Sequence, residues 1–355
     1  NDDTIAWYEN DGATNPSWTA ADIDTNADSA RDVLAADIDG DGDMDLVSAS
    51  YNDDTIAWYE NSGAVNPSWT KKVITTSVNG PMEVKVGDFD EDGDIDIFSG
   101  SYEDDGFYFH ANNGRHSNGY FSTVAQAGVD YTATSGTLTF SAGDTTKTFT
   151  VAVTEDAIVE NNESVVLTLS NPSNTTISDA TGSIVITDDE TTVWTATDID
   201  INADGAMDVH LADMDGDGDL DIVSASIHDD TIAWYENNGA ANPTFSAADI
   251  ATSADNANGI FIADMDGDGD LDIVSASAND DAIAWYENNG AADPSWTAAD
   301  IATSADEASK IFVADMDGDG DMDIVSSSRA DDTIAWYEND GAADPSWTAA
   351  NIASS

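Results

Sequence analysis

Residues Asp264–Asp272 read DMDGDGDLD, and the same nine-residue pattern occurs five times in the chain. The other copies are DIDGDGDMD at Asp37–Asp45, DFDEDGDID at Asp88–Asp96, DMDGDGDLD at Asp213–Asp221 and DMDGDGDMD at Asp315–Asp323. Each places carboxylates at loop positions 1, 3, 5 and 9 and glycine at position 6. A hard cation such as Ca²⁺ takes about six to eight oxygens at roughly 2.3–2.6 Å, and alternating Asp on a tight loop supplies them from one short segment. The glycine permits the sharp turn that returns position 9 to the metal. Asp-Gly strings also serve as plain turns. A plain turn has no need of this alternation at one register, and at about 5 Å with an effective dielectric near 20 each unpaired carboxylate pair costs roughly 3 kcal/mol. The pattern therefore predicts about five calcium sites, one per loop.

Spacing sets the architecture. From Asp37 to Asp88, from Asp213 to Asp264 and from Asp264 to Asp315 the interval is 51 residues. TIAWYEN and its near-copies, around Trp7, Trp58, Trp234, Trp285 and Trp336, keep the same beat. So does the element ending at Trp18, Trp69, Trp296 and Trp347, with Phe245 in place of Trp once. The interval from Asp88 to Asp213 is 125 residues, as is that from Trp69 to Trp194, which places an insertion of about 74 residues after Asn112 and before Trp194. Tyr120 lies one period after Trp69 and offers a second register for the interrupted repeat, but Trp194 with TATDID is the closer match.

Each repeat holds four β-branched or aromatic runs separated by turn residues, as in GIFIAD, LDIVSAS, AIAWYEN and SWTAADIAT. Four short strands in about 50 residues, repeated in tandem, fit a β-propeller blade better than a solenoid or a bead-like array. The expectation is an all-β chain of five full four-stranded blades plus a half blade at the start. The propeller would take 1–114 and 191–355, and an inserted β-sandwich 115–190.

Here the residues carry a family resemblance. D-x-D-G-D-G-D-x-D followed by DIVSAS or DLVSAS resembles the FG-GAP and VCBS repeats of integrin-α-type propellers, over everything outside the insertion. The resemblance implies calcium held by side chains at positions 1, 3, 5 and 9: Asp37, Asp39, Asp41 and Asp45; Asp88, Asp90, Asp92 and Asp96; Asp213, Asp215, Asp217 and Asp221; Asp264, Asp266, Asp268 and Asp272; Asp315, Asp317, Asp319 and Asp323. It implies a backbone carbonyl at position 7, from Asp43, Asp94, Asp219, Asp270 and Asp321. Glu91 replaces glycine at the non-coordinating position 4, so the second site should survive. The stretch Gly128–Glu190 resembles a Calx-beta domain, a small antiparallel sandwich, with a shortened front: either RHSNGYFSTVAQA supplies a strand or the sandwich keeps an unpaired edge. Glu155, Asp156, Glu163, Asp188 and Asp189 are there either a second kind of calcium site or a solvated acidic edge.

Composition narrows the function. Formal charge is −64, from 72 acidic and 8 basic residues. Phosphate binding needs clustered Lys and Arg, so nucleic acid is excluded as a partner, and anionic membrane surfaces are disfavoured. Self-repulsion of this size points to a salty, calcium-containing exterior. There is no cysteine, and no apolar run long enough to span a bilayer. The chain opens in mid-pattern without Met and reads as a processed product or a piece of something longer.

No nucleophile elbow exists, the four histidines share no motif, and repetition itself argues against a single catalytic constellation. If an enzyme were hidden here, the divergent second repeat (Phe107, Tyr108, Phe109, His110, Arg115, His116) would hold it. The Trp-Tyr pairs serve core packing or glycan stacking, and alternation along a strand sends one of each pair inward. The reading is an extracellular, non-enzymatic, calcium-stabilised structural or adhesion protein that associates with itself or with other surface proteins. The competing reading is a glycan-binding or polysaccharide-processing propeller, using its outer tryptophans or its central funnel.

Overall fold

The computed structural model describes residues 3–112, 125, 127–128, 130–154, 163–187 and 194–354. The chain divides into two compact units, one of Asn1–Ile38, Asp43–Asn112 and Trp194–Ser355, the other of Asp39–Gly42 and Asn113–Val193. Among the described residues no helix is long and apolar enough to cross a membrane.

The first unit is a set of antiparallel four-stranded blades, as the 51-residue period predicts. A half blade of Ile5–Asn10 and Trp18–Asp24 precedes them. Blade 1 comprises Ala30–Ala36, Asp45–Ser50, Thr55–Asn61 and Trp69–Thr75, in sequential order across the sheet. Blades 3, 4 and 5 repeat this order from Ala206, Ala257 and Ala308. In blade 2, Pro81–Gly87, Asp96–Ser101 and Gly106–Asn112 are followed across the sheet by Trp194–Asp200, with Trp194 opposite Asn112. The insertion therefore leaves and re-enters between the third and fourth strands of one blade, in the register that Trp194 indicates.

Blades are held together by apolar layers. Val223, Ile232 and Trp234 of blade 3 meet Ile260, Ile273 and Tyr286 of blade 4 in one cluster, and the equivalent residues of blades 4 and 5 form another. The central tryptophans are core residues: Trp58, Trp234 and Trp285 are 1%, 4% and 3% exposed. At the first strands, side-chain carboxylates bridge neighbouring blades. Asp32 accepts from the Val84 amide, Glu83 from Val209 and Asp208 from Ile260, at 3.1, 2.8 and 3.0 Å. In blade 2 the aromatic departures from the repeat are structural. Phe107 and Phe109 lie in a phenylalanine cluster, and His110 is buried against Ser99 in the place that Tyr59 takes in blade 1. Burial pushes the His110 imidazole down to about 4, so it is a neutral core residue. Arg115 and His116 lie outside the described residues.

In the second unit the described strands form two antiparallel pairs, Tyr131–Thr132 with Ala152–Val153 and Glu163–Thr168 with Thr181–Ile186. Val165 and Ala125 are buried there. Of the acidic residues singled out in the insertion, Glu163 is buried, and Glu155, Asp156, Asp188 and Asp189 lie outside the described residues.

Candidate metal centres

Each acidic loop joins the first strand of a blade to the second, and position 9 is the first residue of the second strand. The path needs backbone that only glycine adopts readily. Position 6 has φ of 93°, 98°, 105°, 102° and 105° at Gly42, Gly93, Gly218, Gly269 and Gly320. Position 4 is also left-handed, and Glu91 adopts it at φ 56° where the other loops carry glycine. A non-glycine residue pays roughly 1–2 kcal/mol for that conformation.

In the third, fourth and fifth loops backbone amides fix one or both oxygens of the carboxylates at positions 1, 3, 5 and 9. In the fourth loop Asp264 accepts from the amides of Gly267 and Gly269 at 2.8 and 3.1 Å. Asp266 accepts from Asp268, and Asp268 from Asp270, at 3.1 and 2.9 Å. Asp272 accepts from Met265 and Asn288 at 3.1 and 2.8 Å, which ties the loop to the third strand. The third and fifth loops repeat these bonds. In the third, fourth and fifth loops a local ladder of N–H donors thus aims several aspartates at one point.

Carboxylate oxygens converge accordingly. One oxygen each from Asp88, Asp90 and Asp96 lies within 4.8 Å of the others, and the same holds for Asp213, Asp215 and Asp221 and for Asp264, Asp266 and Asp272. In the first and fifth loops the convergent sets are Asp37, Asp39 and Asp41, and Asp315, Asp317 and Asp319. Positions 1 and 3 therefore converge in all five loops. Position 9 joins them in the middle three, whereas Asp45 and Asp323 stay outside the closest group. Position 5 joins the closest group only in the first and fifth loops; in the other three Asp92, Asp217 and Asp268 lie against Asp90, Asp215 and Asp266.

The position 7 side chains turn elsewhere. Asp43, Asp219, Asp270 and Asp321 fold over Gly63, Gly239, Gly290 and Gly341, where an added Cβ would lie only 1.8–2.0 Å from a carboxylate oxygen. Asp94 is buried in its loop. A side chain parked on glycine leaves the carbonyl as the donor that position 7 can offer.

Burial with neighbouring like charges makes several of these carboxyls harder to ionise. It pushes the Asp96 and Asp272 carboxyls up to about 7, and Asp221 up to about 6, against the opposing pull of two amide bonds on each. Burial and the neighbouring Asp92 push Asp90 up to about 6. Asp88 Oδ1 is buried without a hydrogen-bond partner. An orphaned carboxylate oxygen among others is costly unless a cation satisfies it. The donor set is all hard oxygen, which suits Ca²⁺ and not a thiophilic or imidazole-seeking metal.

Sequence reading missed the asparagine that closes TIAWYEN. Asn237, Asn288 and Asn339 each donate from Nδ2 to the position 8 carbonyl of their own loop and to the position 2 carbonyl of the preceding blade's loop. Asn112 does the same with Ile95 and Ile38. The Asn288 bonds to Met214 and Leu271 are 2.8 and 3.1 Å, and its Oδ1 accepts from the Gly290 amide. Each asparagine therefore staples two successive acidic loops. Its recurrence at one register was the available signal.

The fold and these loops define a blade-repeat protein with acidic loops of the calcium-binding type. The FG-GAP-like repeat family matches residues 1–48, 37–99, 213–275 and 264–326, more than half of the chain, and the chain belongs to that family. A Calx-beta domain matches residues 121–199. Its last residues, from Trp194, pair within blade 2 in the structure. No curated protein sequence matches the chain significantly.

Among solved structures, the chain is similar to an Agrocybe aegerita lectin described as recognising non-reducing terminal N-acetylglucosamine. Identity is 16%, covering 96% of this chain and 85% of that one, with a TM-score of 0.38. It is similar to a Bacillus licheniformis rhamnogalacturonan lyase at 13% identity, 91% and 57% coverage and a TM-score of 0.40. A third is the V. cholerae biofilm matrix protein Bap1, at 12% identity, 92% and 59% coverage and a TM-score of 0.30. The chain thus spans under two thirds of the latter two, and superpositions this loose carry no functional argument.

Proposed function

We propose that this is a calcium-stabilised extracellular protein with a structural or adhesive, non-catalytic role, a building block of a cell-surface assembly, matrix or filament. The propeller comprises 1–114 and 191–355, and 115–190 is the inserted sandwich. The observation that carries the reading is the fivefold convergence of aspartate oxygens on loops that join the first two strands of every full blade. Side chains at positions 1, 3, 5 and 9 and the position 7 carbonyl would hold the ion, whose charge would offset the clustered carboxylates. Loops of this kind in extracellular modules fill at about 10⁻⁴–10⁻³ M calcium, a concentration met outside cells. Their partners would be further copies of the chain or other surface proteins.

Three substitutions in one loop test the assignment by calcium stoichiometry. Asp266→Ala is expected to lower the bound calcium by one ion per chain, and Asp272→Asn to weaken that site by about tenfold or more, since charged ligands set affinity. Asp270→Asn should leave stoichiometry intact, because its carbonyl remains. Equal losses from Asp270→Asn and Asp272→Asn contradict the assigned geometry.

A further inference from the structure

The repeats are so alike that departures from them stand out, and one set of departures is contiguous in space. At the turns between second and third strands, blade 4 carries Ala278 and Asn279. The equivalent pairs are Tyr51 and Asn52 in blade 1, Tyr102 and Glu103 in blade 2, and Ile227 and His228 in blade 3. These side chains form a ladder across three blades. The Arg31 guanidinium lies 5.0 Å from the centre of the Tyr51 ring. The Tyr51 and Tyr102 rings are 6.4 Å apart, and Tyr102 meets the His228 ring edge-on at 5.3 Å. Carboxylates flank the ladder: Glu103 accepts from the Tyr51 hydroxyl, and Asp204 pairs with His228 Nδ1 at 3.0 Å.

The fold does not need these rings. Asn52 bonds Asp28, and Asn279 bonds Asp255, at 2.9 Å each, and His228 makes with Asp204 the bond that asparagine makes elsewhere. The imidazole keeps the local bond and adds a ring against Tyr102. Gly80 leaves room for the arrangement, since a Cβ there would meet Tyr51 at 3.0 Å and Glu103 at 2.6 Å. The two tyrosines are half-buried, and Arg31, Glu103, Asp204 and His228 are exposed. The ladder also gathers one of only eight basic residues of the chain.

We infer that the ladder Arg31–Tyr51–Tyr102–His228 is a binding site for a neutral polysaccharide, spanning a few consecutive sugar units. Aromatic faces attract the C–H edges of pyranose rings, and tyrosine offers rigid amphipathic area at low entropic cost. Arg31 can donate to sugar hydroxyls, and Glu103 and Asp204 can accept from them; His228, whose Nδ1 pairs with Asp204 and whose Nε2 lies 3.3 Å from the Tyr102 hydroxyl, offers its ring. An anionic glycan would meet the repulsion of a chain of charge −64. A protein partner would need roughly 800 Å² of surface, far more than four side chains supply. The site is separate from the calcium loops and does not depend on how they are read.

Calorimetric titration of the full chain in saturating calcium tests this. The probes are hexasaccharides of β-1,4-glucose, β-1,3-glucose, α-mannose and β-1,4-N-acetylglucosamine, with hexameric alginate as the anionic comparison. At least one neutral probe is expected to bind, and Tyr51→Ala with Tyr102→Ala together to weaken it by about tenfold, which two lost ring contacts of ~0.7 kcal/mol each would produce. His228→Asn preserves the asparagine-type bond to Asp204 and the fold, and should weaken binding by about threefold through loss of the ring alone. The inference is overturned if no neutral probe binds, if alginate binds more tightly than every neutral probe, or if His228→Asn binds as the parent chain does.

Discussion

Excess chelator at low ionic strength is expected to unfold the blades at room temperature. For sites of the affinity given above, ligand at a hundred times Kd adds about 2.7 kcal/mol per site, so five sites contribute on the order of 13 kcal/mol. That equals the whole stability of an ordinary domain, which is about 5–15 kcal/mol. Five ions also bring the formal charge from −64 only to −54, so removing them returns repulsion to a chain already strained by it. High salt should rescue part of the loss by screening surface charge. Tryptophan fluorescence reads the transition, because Trp58, Trp234 and Trp285 are buried between blades. A melting temperature unmoved by chelator would show that the loops carry no structural calcium.

The second large effect is a reversal of pH dependence. In the calcium-free fold, burial pushes Asp96 and Asp272 up to about 7 and Asp221 up to about 6, whereas an unfolded aspartate titrates near 3.9. A raised carboxyl contributes stability that is fully present below the unfolded value and is lost as pH rises through the folded one. The chelated protein should therefore grow less stable between about pH 4 and pH 7, by several kcal/mol over the three groups. Calcium needs the ionised carboxylates, so the loaded protein should gain stability over the same range. Thermal melts at pH 5 and pH 7.5, with chelator and with calcium, check the signs. Slopes of the same sign in both conditions would contradict the account.

Much of the fold is written locally. The period follows from loop, TIAWYEN and tryptophan markers that each sit within one blade, and the insertion boundary follows because Trp194 resumes the pattern that Asn112 leaves. Strand alternation predicts one inward residue in each Trp-Tyr pair, whereas both are buried, as in Trp58 with Tyr59 and Trp234 with Tyr235, because each sheet packs apolar layers on both faces. What escaped reading is what joins one blade to the next. Asn237 bonds the Phe89 carbonyl 148 residues earlier, across the whole insertion, and a backbone carbonyl has no sequence signature. The carboxylate-to-amide bridges from Glu83 to Val209 and from Asp208 to Ile260 are hidden for the same reason. The ladder of Tyr51, Tyr102 and His228 was visible only as scattered departures until the blades set the turns side by side.

Within the loops, sequence reading treats five copies as equivalent, and the structure distinguishes them. Position 9 closes the oxygen cluster in blades 2, 3 and 4, and position 5 does so in blades 1 and 5.

Anomalous diffraction from crystals grown in calcium tests the central claim most directly. The account predicts five peaks, one in each loop, roughly 2.3–2.6 Å from oxygens of the aspartates at positions 1, 3, 5 and 9 and from the position 7 carbonyl. Loops without anomalous density at millimolar calcium would contradict it.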